Sequence, residues 1–192
     1  MIRELRSEKR EKFFSSALKL FVAQGVQKTS TAEIAKEAGT AAGTLFLYFP
    51  TKKELIHELT LKIGKEQSDT IKTLLEPSLS VRETFFTIWN GSVRWFMENM
   101  DAYQFFQQIR DSGMLEQDVI EESNKFFDYY YDAIQKGFKE GCIKPYPVEM
   151  IGGILYQNIV AIMNLIRTQS DPAKQEKFIE QGFDIFWDGI KQ

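Results

Sequence analysis

The sequence TSTAEIAKEAGTAAGTLFLYFPTKKEL, residues 29–55, decides the fold of this chain. Ser30 and Glu33 form a capping box, because the serine hydroxyl can accept from the Glu33 backbone N–H while the Glu33 carboxylate reaches back to the Ser30 N–H. Gly39 comes one short helix later, where a chain leaving a helix needs a residue that tolerates positive φ. The stretch therefore predicts a short helix that ends at a tight turn.

A second short helix is predicted after this turn, over residues 41–49, and Pro50 stops it. Thr51 and Glu54 repeat the capping-box spacing and open a third helix. Two helices joined by a three- or four-residue turn with a glycine form a helix-turn-helix, whose second helix can enter the major groove of DNA. The same stretch thus predicts both helical structure and a DNA partner.

The rest of the chain also has the pattern of helices. The apolar spacing i, i+3, i+4 and i+7 that starts at Phe14 predicts a helix over residues 7–24, which Gly25 ends. The sequence has no strand pattern and no internal repeat. With the two motif helices, about nine helices of an all-α fold are predicted, the others over residues 51–75, 80–99, 101–110, 116–140, 147–167 and 171–191.

Residues of about 10–58 resemble the N-terminal domain of the TetR family of transcriptional repressors. The match covers roughly the first third of the chain, and the rest resembles the family only in being helical and of the usual length. The resemblance implies a helix-turn-helix DNA-binding domain over residues 1–58 and a ligand-binding and dimerisation domain over residues 59–192. The matching pieces are residues 17–21, Gly25, and residues 29–30, 34–35, 38–39, 43–46 and 48–55.

The resemblance places DNA contacts on the second motif helix and at the starts of its neighbours. Thr44 carries a hydroxyl for a phosphate or a base edge, and Tyr48 is either a DNA contact or a packing residue. Leu45 and Phe49 are expected in the core. The residues predicted to contact DNA are Ser30, Thr31, Ala41, Ala42, Gly43, Thr44, Phe46, Leu47, Tyr48 and Lys52.

This recognition helix departs from the family by being apolar. Ala41 stands where the family often has Ser, and Ala42 where a polar or basic residue is common. Phe46 replaces a frequent Tyr, and Leu47 is apolar where many members are polar. Few side chains are left for direct hydrogen bonds to bases, so contact with thymine methyls and readout of DNA shape have to do more.

Charge is distributed unevenly along the 192 residues. Residues 1–66 hold 12 Lys or Arg and 8 Asp or Glu, for a local charge of +4. Residues 67–192 hold 12 and 19, for −7, within a net charge of −3. A modestly basic N-terminal part suits a DNA-binding head, although ordinary variation in surface charge gives the same pattern.

Aromatic residues are concentrated in the C-terminal domain, with 14 of the 26 lying between Phe85 and Phe138. They form either a helical core or the wall of a roomy apolar cavity with a few polar tips. The family places its ligand pocket in this region, so we expect a small apolar or aromatic effector there. The residues predicted to bind it are Phe85, Phe86, Trp89, Trp95, Phe105, Phe106, Gln107, Arg110, Phe126, Phe127, Tyr130 and Asn158.

The last two helices have two apolar faces each, which is more than the core of one subunit requires. We therefore expect a homodimer through a four-helix interface. The residues predicted for it are Ile151, Leu155, Ile159, Ile162, Ile166, Phe178, Gly182, Ile185, Phe186 and Gly189.

Enzymatic and metal-dependent functions find no support in the sequence. The lone His57 has no second His or Cys partner for a metal site, and no phosphate loop or nucleophile motif is present. No catalytic residue, metal or cofactor is therefore predicted. The single Cys142, the charged residues 1–12 and the lack of an 18-residue apolar run predict a cytoplasmic protein without signal peptide or membrane span.

These features predict a homodimeric transcriptional repressor that a small apolar or aromatic ligand releases from a palindromic operator. The alternative is an all-α small-molecule binding or carrier protein without a DNA function. The effector, the operator, the regulated genes and the sign of regulation are not encoded in any pattern of the sequence.

Overall fold

The computed structural model describes the backbone of residues 2–192 and the side chains of residues 5–110 and 112–192. This part of the chain is all-α, as predicted. Its α-helices are α1 (Ile2–Gln24), α2 (Thr31–Glu37), α3 (Ala42–Phe46), α4 (Lys52–Lys72), α5 (Val81–Glu98), α6 (Met100–Ser112), α7 (Gln117–Asn124), α8 (Asp128–Glu140), α9 (Val148–Arg167) and α10 (Pro172–Ile190).

The nine predicted helical segments are present, but the segment over residues 116–140 is interrupted. A 3₁₀ turn at Lys125–Phe127 separates α7 from α8. At this turn the Phe126 carbonyl accepts from the Ser68 hydroxyl at 2.5 Å, and Phe127 leaves helical geometry at φ −102° and ψ 34°. The apolar spacing continues across the turn, so periodicity alone did not reveal the break.

The chain divides into two compact units. The first contains residues 1–65 and 99–123, and the second contains residues 66–98 and 124–192. The chain passes between them three times, once inside α4. The predicted functional boundary at residues 58 and 59 stays a prediction, since compactness assigns α6 and most of α7 to the unit that holds the helix-turn-helix.

The first unit is built around α1. Phe13, Phe21 and Leu45 are fully buried, and α1 packs on both α2 and α6. The Phe21 and Phe105 rings stack with centroids 5.8 Å apart and planes 11° apart. The Val26 N–H donates to the Gln108 side-chain oxygen at 2.9 Å, so a polar bond joins the end of α1 to α6 as well.

The second unit packs α5 against α8, α9 and α10. Trp89 on α5 is fully buried, and its indole N–H donates to the Asn158 side-chain oxygen at 2.6 Å. The Phe183 ring lies 6.1 Å from Trp89. Gly182 beside it permits close approach of α10, because a Cβ there would lie 2.5 Å from Ile162 Cγ1 and 3.0 Å from the Trp89 ring.

This packing buries most of the predicted dimer-interface residues within one chain, and the interface itself stays a prediction. The apolar seams of α9 and α10 face each other and α5. Phe178 is half-buried, and Ile185 and Gly189 remain exposed. The predicted interface residues that the structure buries inside the chain are Ile151, Leu155, Ile159, Ile162, Ile166, Gly182 and Phe186.

Helix α9 is long and apolar enough to cross a membrane, judged by length and composition only. One face of the helix, with Ile151 and Met163, is fully buried in the chain, and a core helix has the same features. The absence of a membrane span therefore stays a prediction.

We expect Gly182→Ala to lower the free energy of unfolding by roughly 1–3 kcal/mol, because the added methyl group overpacks the contact with Ile162 and Trp89. Gly189→Ala is the control on the same helix, since its Cβ would meet nothing within 4 Å. Urea denaturation of both variants measures the difference. Equal stability of Gly182→Ala and wild type would contradict the close packing.

Candidate DNA-binding surface and effector site

The helix-turn-helix has the local geometry that its sequence predicts. The Ser30 hydroxyl accepts from the Glu33 N–H at 3.2 Å, and the Glu33 carboxylate accepts from the Ser30 N–H at 2.8 Å. The Ser30 hydroxyl also donates to the Glu33 carboxylate at 2.7 Å, and this bond, with the one from the Ser30 N–H, holds the pKa of Glu33 below its usual value. Gly39 has φ of +68°, in the left-handed region that glycine tolerates, and turns the chain from α2 towards α3.

Helix α3 is shorter than predicted. The residues in and around it divide into a buried set and an exposed set. Leu45 and Phe49 are fully buried, as predicted, and anchor the segment in the first unit. Ala41, Ala42 and Gly43 are exposed. Side chains on the opposite side from the anchors are therefore free to meet another molecule.

Two large apolar side chains follow on the exposed side. Phe46 is 46% exposed and Leu47 is 77% exposed. Thr44 is half-buried and is the single residue of the stretch 41–47 with a hydrogen-bonding side chain. The surface offered by α3 is thus almost entirely apolar, which agrees with the unusual sequence of this helix.

The remaining predicted contacts surround α3. The Tyr48 ring packs on Phe13 with centroids 5.4 Å apart, and the residue is half-buried. Lys52 donates to the Gln27 carbonyl at 3.3 Å, which brings its charge to the loop before α2. Partial burial lowers the pKa of Lys52, and the Glu33 carboxylate opposes that change. Ser30 is exposed, with its hydroxyl engaged in the capping box.

The predicted effector residues fall in both compact units. Phe105, Phe106, Gln107 and Arg110 lie on α6 in the first unit, where Phe105 is fully buried against Phe21. Phe105 therefore belongs to the core of the unit that carries α3. The predicted residues found in the second unit are Phe85, Phe86, Trp89, Trp95, Phe126, Phe127, Tyr130 and Asn158.

Two tyrosine hydroxyls in the second unit stand out from this aromatic core. The hydroxyl oxygens of Tyr129 and Tyr130 are buried, and the Tyr130 hydroxyl has no hydrogen-bond partner among the described residues. Burial raises the pKa of both phenols, so each remains a neutral donor near pH 7. Tyr130 is the clearer case, because the Ser68 hydroxyl interacts with Tyr129.

Tyr130 is held in place by aromatic and backbone contacts. Its ring meets Phe85 edge to face at 5.9 Å, and it lies against α9, where a Cβ at Gly152 would be in ordinary van der Waals contact with the ring at 3.5 Å. A buried hydroxyl without a partner costs about 1–3 kcal/mol. Sequence reasoning included Tyr130 as an aromatic residue and omitted Tyr129, since burial of the oxygens has no signal in the sequence.

An open cleft of about 360 Å³ lies in the first unit at the end of α1. Polar and apolar atoms line it about equally, which differs from the apolar site predicted for the effector. The lining residues are Gln24, Gly25, Val26, Gln27, Lys28, Gln108 and Ser112.

Large apolar side chains remain exposed on α9 and α10. Ile185 on α10 is 70% exposed, although it lies beside the buried Phe186. Large apolar side chains on α9 that are close to half exposed are Met150, Ile154 and Leu165. Exposed apolar surface is the kind of surface that another molecule can cover.

Metal-ligating groups are not clustered in the described residues, where no group of three or more His, Cys, Asp and Glu side chains has suitable positions. His57 contacts the Met114 carbonyl at 3.2 Å through Nε2, which is a structural role within the first unit. Burial raises the pKa of the Cys142 thiol.

Comparison with known proteins agrees with this geometry over nearly the whole chain. Residues 13–59 match the family model described as "Bacterial regulatory proteins, tetR family". Residues 61–192 match the model described as "Tetracyclin repressor-like, C-terminal domain".

Individual relatives show similarity along the full length. The HTH-type transcriptional regulator YhgD of Bacillus subtilis (strain 168) is 25% identical over 171 residues, covering 88% of this chain and 90% of YhgD. A crystal structure from Shewanella sp. PV-4 has a TM-score of 0.89 and 29% identity, covering 96% of this chain and 98% of that one.

A more distant neighbour, from Saccharomonospora viridis, was solved in complex with choline. It shares the fold at a TM-score of 0.72 and 19% identity, covering 97% of this chain and 99% of that one.

The two family models together span the helix-turn-helix unit and the helices that follow it. The matched families are regulatory proteins and not enzymes. The chain belongs to the TetR family of helix-turn-helix transcription regulators.

Proposed function

We propose that this regulator is a homodimeric repressor, released from a palindromic operator by a small apolar or aromatic effector. The observation that carries the proposal is the buried anchoring of α3 by Leu45 and Phe49, which leaves its other side exposed for a DNA groove. Two such helices in a symmetric dimer match half-sites about one helical turn apart. A cytoplasmic location follows from this function.

The DNA contacts divide by chemistry. Lys52 supplies charge for a phosphate, Thr31 opens α2, and Tyr48 follows α3. Ser30 lies beside Thr31, with its N–H and hydroxyl already bonded to Glu33. Ala42 and Gly43 are small and exposed, so α3 can approach the DNA closely. Phosphate contacts position the protein without reading sequence.

The dimer is proposed through the apolar side chains that remain exposed on α9 and α10. Ile185 on α10 belongs to the interface predicted from sequence, and Ile154 and Leu165 on α9 join it because they are exposed. Burying these side chains against a second copy would stabilise association at roughly 25 cal/mol per Å² of apolar surface, before the entropic cost of association.

The effector is proposed to bind in the second unit beside Tyr130. The neighbouring Phe85 supplies apolar surface, and the unpartnered Tyr130 hydroxyl is a donor. An effector with an apolar or aromatic body and one hydrogen-bond acceptor would satisfy this donor. The acidic charge of residues 67–192 disfavours a strongly anionic effector.

Release from DNA would follow from the path of the chain. The chain passes from one compact unit to the other inside α4, between α5 and α6, and at the end of α7. A ligand that shifts these segments in the second unit would change the position of α3 in the dimer. Such coupling typically amounts to about 1–3 kcal/mol, or 5- to 150-fold in affinity.

We expect Lys52→Gln to weaken binding to all DNA sequences by a similar factor and to reduce the salt slope by about one unit, since one phosphate contact is lost. Glutamine retains a donor for the Gln27 carbonyl. Lys174→Gln, an exposed substitution on α10, is the control. Gel shifts at several salt concentrations measure the slope, and an unchanged slope would exclude the contact.

The dimer predicts that Ile154→Glu with Ile185→Glu yields monomers, because burying two unpaired carboxylates at the interface is unfavourable. Leu74→Glu is the matched control, as Leu74 is a 49% exposed leucine on neither helix. Sedimentation velocity distinguishes the species. A dimer that survives the double substitution would place the interface elsewhere.

If the effector binds beside Tyr130, the substitution Tyr130→Phe should weaken effector binding without destabilising the fold. Loss of the unpartnered hydroxyl should leave the free energy of unfolding unchanged or increase it by about 1 kcal/mol. The same variant should bind an aromatic ketone several-fold more weakly and its matched hydrocarbon equally well. Tryptophan fluorescence reports binding, since Trp89 lies in this unit.

Tyr131→Phe is the control, because Tyr131 is 53% exposed. The same titration is scored by operator release in a gel shift. Quenching without release would show a site that is not coupled to DNA, and no operator binding at all would favour the alternative of a ligand-binding protein without a DNA function.

A further inference from the structure

We propose that this regulator selects its operator mainly through the 5-methyl groups of thymine, contacted in the major groove by Leu47 and Phe46. The inference rests on the proposed function, because it requires α3 to lie in the groove. It goes further by naming the group on the DNA that is recognised and the side chains that recognise it.

The first step is the lack of polar readers on α3. Base pairs are distinguished in the major groove through hydrogen bonds from side chains such as Arg, Lys, Asn and Gln. The stretch 41–47 contains none of these, and Thr44 is its one side chain able to form a hydrogen bond. Because Thr44 is also half-buried, hydrogen bonds from α3 supply at most one point of discrimination.

The second step is the position of the apolar side chains. Leu45 and Phe49 take up the interior positions completely, with no exposed surface. Leu47 at 77% and Phe46 at 46% are therefore surplus to the core of this unit. Their exposure has an unfavourable hydration free energy that a partner with an apolar group would relieve.

The third step is the chemistry of the groove. The thymine methyl is the single apolar group among the base edges that the major groove presents. Ala41, Ala42 and Gly43, all exposed, leave room for α3 to come near enough for van der Waals contact. Lys52 beside them adds attraction for the backbone without sequence preference.

The test begins with operators isolated from a random duplex pool by the full-length wild-type protein. Each conserved thymine is then replaced by deoxyuridine, which removes the methyl group and retains the hydrogen-bonding pattern. We expect the affinity of wild type to fall about fourfold at each contacted thymine, the value of one buried methyl or methylene group.

Leu47→Ala supplies the second arm of a double-mutant cycle. This exposed substitution should leave the fold intact, weaken binding to the thymine operator, and remove the effect of deoxyuridine at the thymine that Leu47 contacts. Phe46→Ala should do the same at a neighbouring position. Thr44→Val is the control, and it should retain the full deoxyuridine effect.

The outcomes separate this inference from the proposed function. Selection of an operator whose affinity is unchanged by deoxyuridine would overturn thymine-methyl recognition and leave the repressor proposal standing. If deoxyuridine still lowers the affinity in full for both Leu47→Ala and Phe46→Ala, the methyl groups act through DNA shape and not through these side chains. That result would also overturn thymine-methyl recognition. Failure to select any sequence would contradict the proposed function itself.

Discussion

The contact between α1 and α6 is the interaction on which the rest of this structure depends. Phe21 on α1 stacks on Phe105, and the end of the same helix bonds to Gln108. Through these contacts, residues 99–123 form one compact unit with the helix-turn-helix, although they are remote from it in sequence. Helix α3 of the helix-turn-helix is thereby built on a scaffold that includes a segment from the middle of the chain.

This arrangement explains why the aromatic excess of the C-terminal part does not define one pocket. Some of the aromatic residues are structural, as Phe105 shows by its complete burial in the first unit. Phe85 packs edge to face on Tyr130, whose hydroxyl has no partner among the described residues. Polar groups that are buried without partners are rare in folded proteins. Such a group is a sharper sign of a binding site than aromatic content.

The apolar faces of α9 and α10 are used mainly to build the core of one chain. The most regular seam, represented by Ile159 and Phe186, is buried when the two helices pack with α5. The less regular stripe that includes Ile185 is what remains for a partner. Periodicity identifies an apolar face but not the molecule that covers it. Burial within one chain and burial between two chains are both favourable for the same apolar residues.

The sequence by itself determined the local structure and the family. Capping boxes and Gly39 act over a few residues, so α2, the turn and the start of α4 were predictable, as was the burial of Leu45 and Phe49. The break near Phe127 was not, because local spacing does not report the tertiary hydrogen bond from Ser68 to Phe126, and the early end of α3 was missed as well. Only the tertiary structure decided which apolar faces stay exposed. It also decided that α6 belongs to the first unit. Both results depend on contacts between residues that are far apart in the chain.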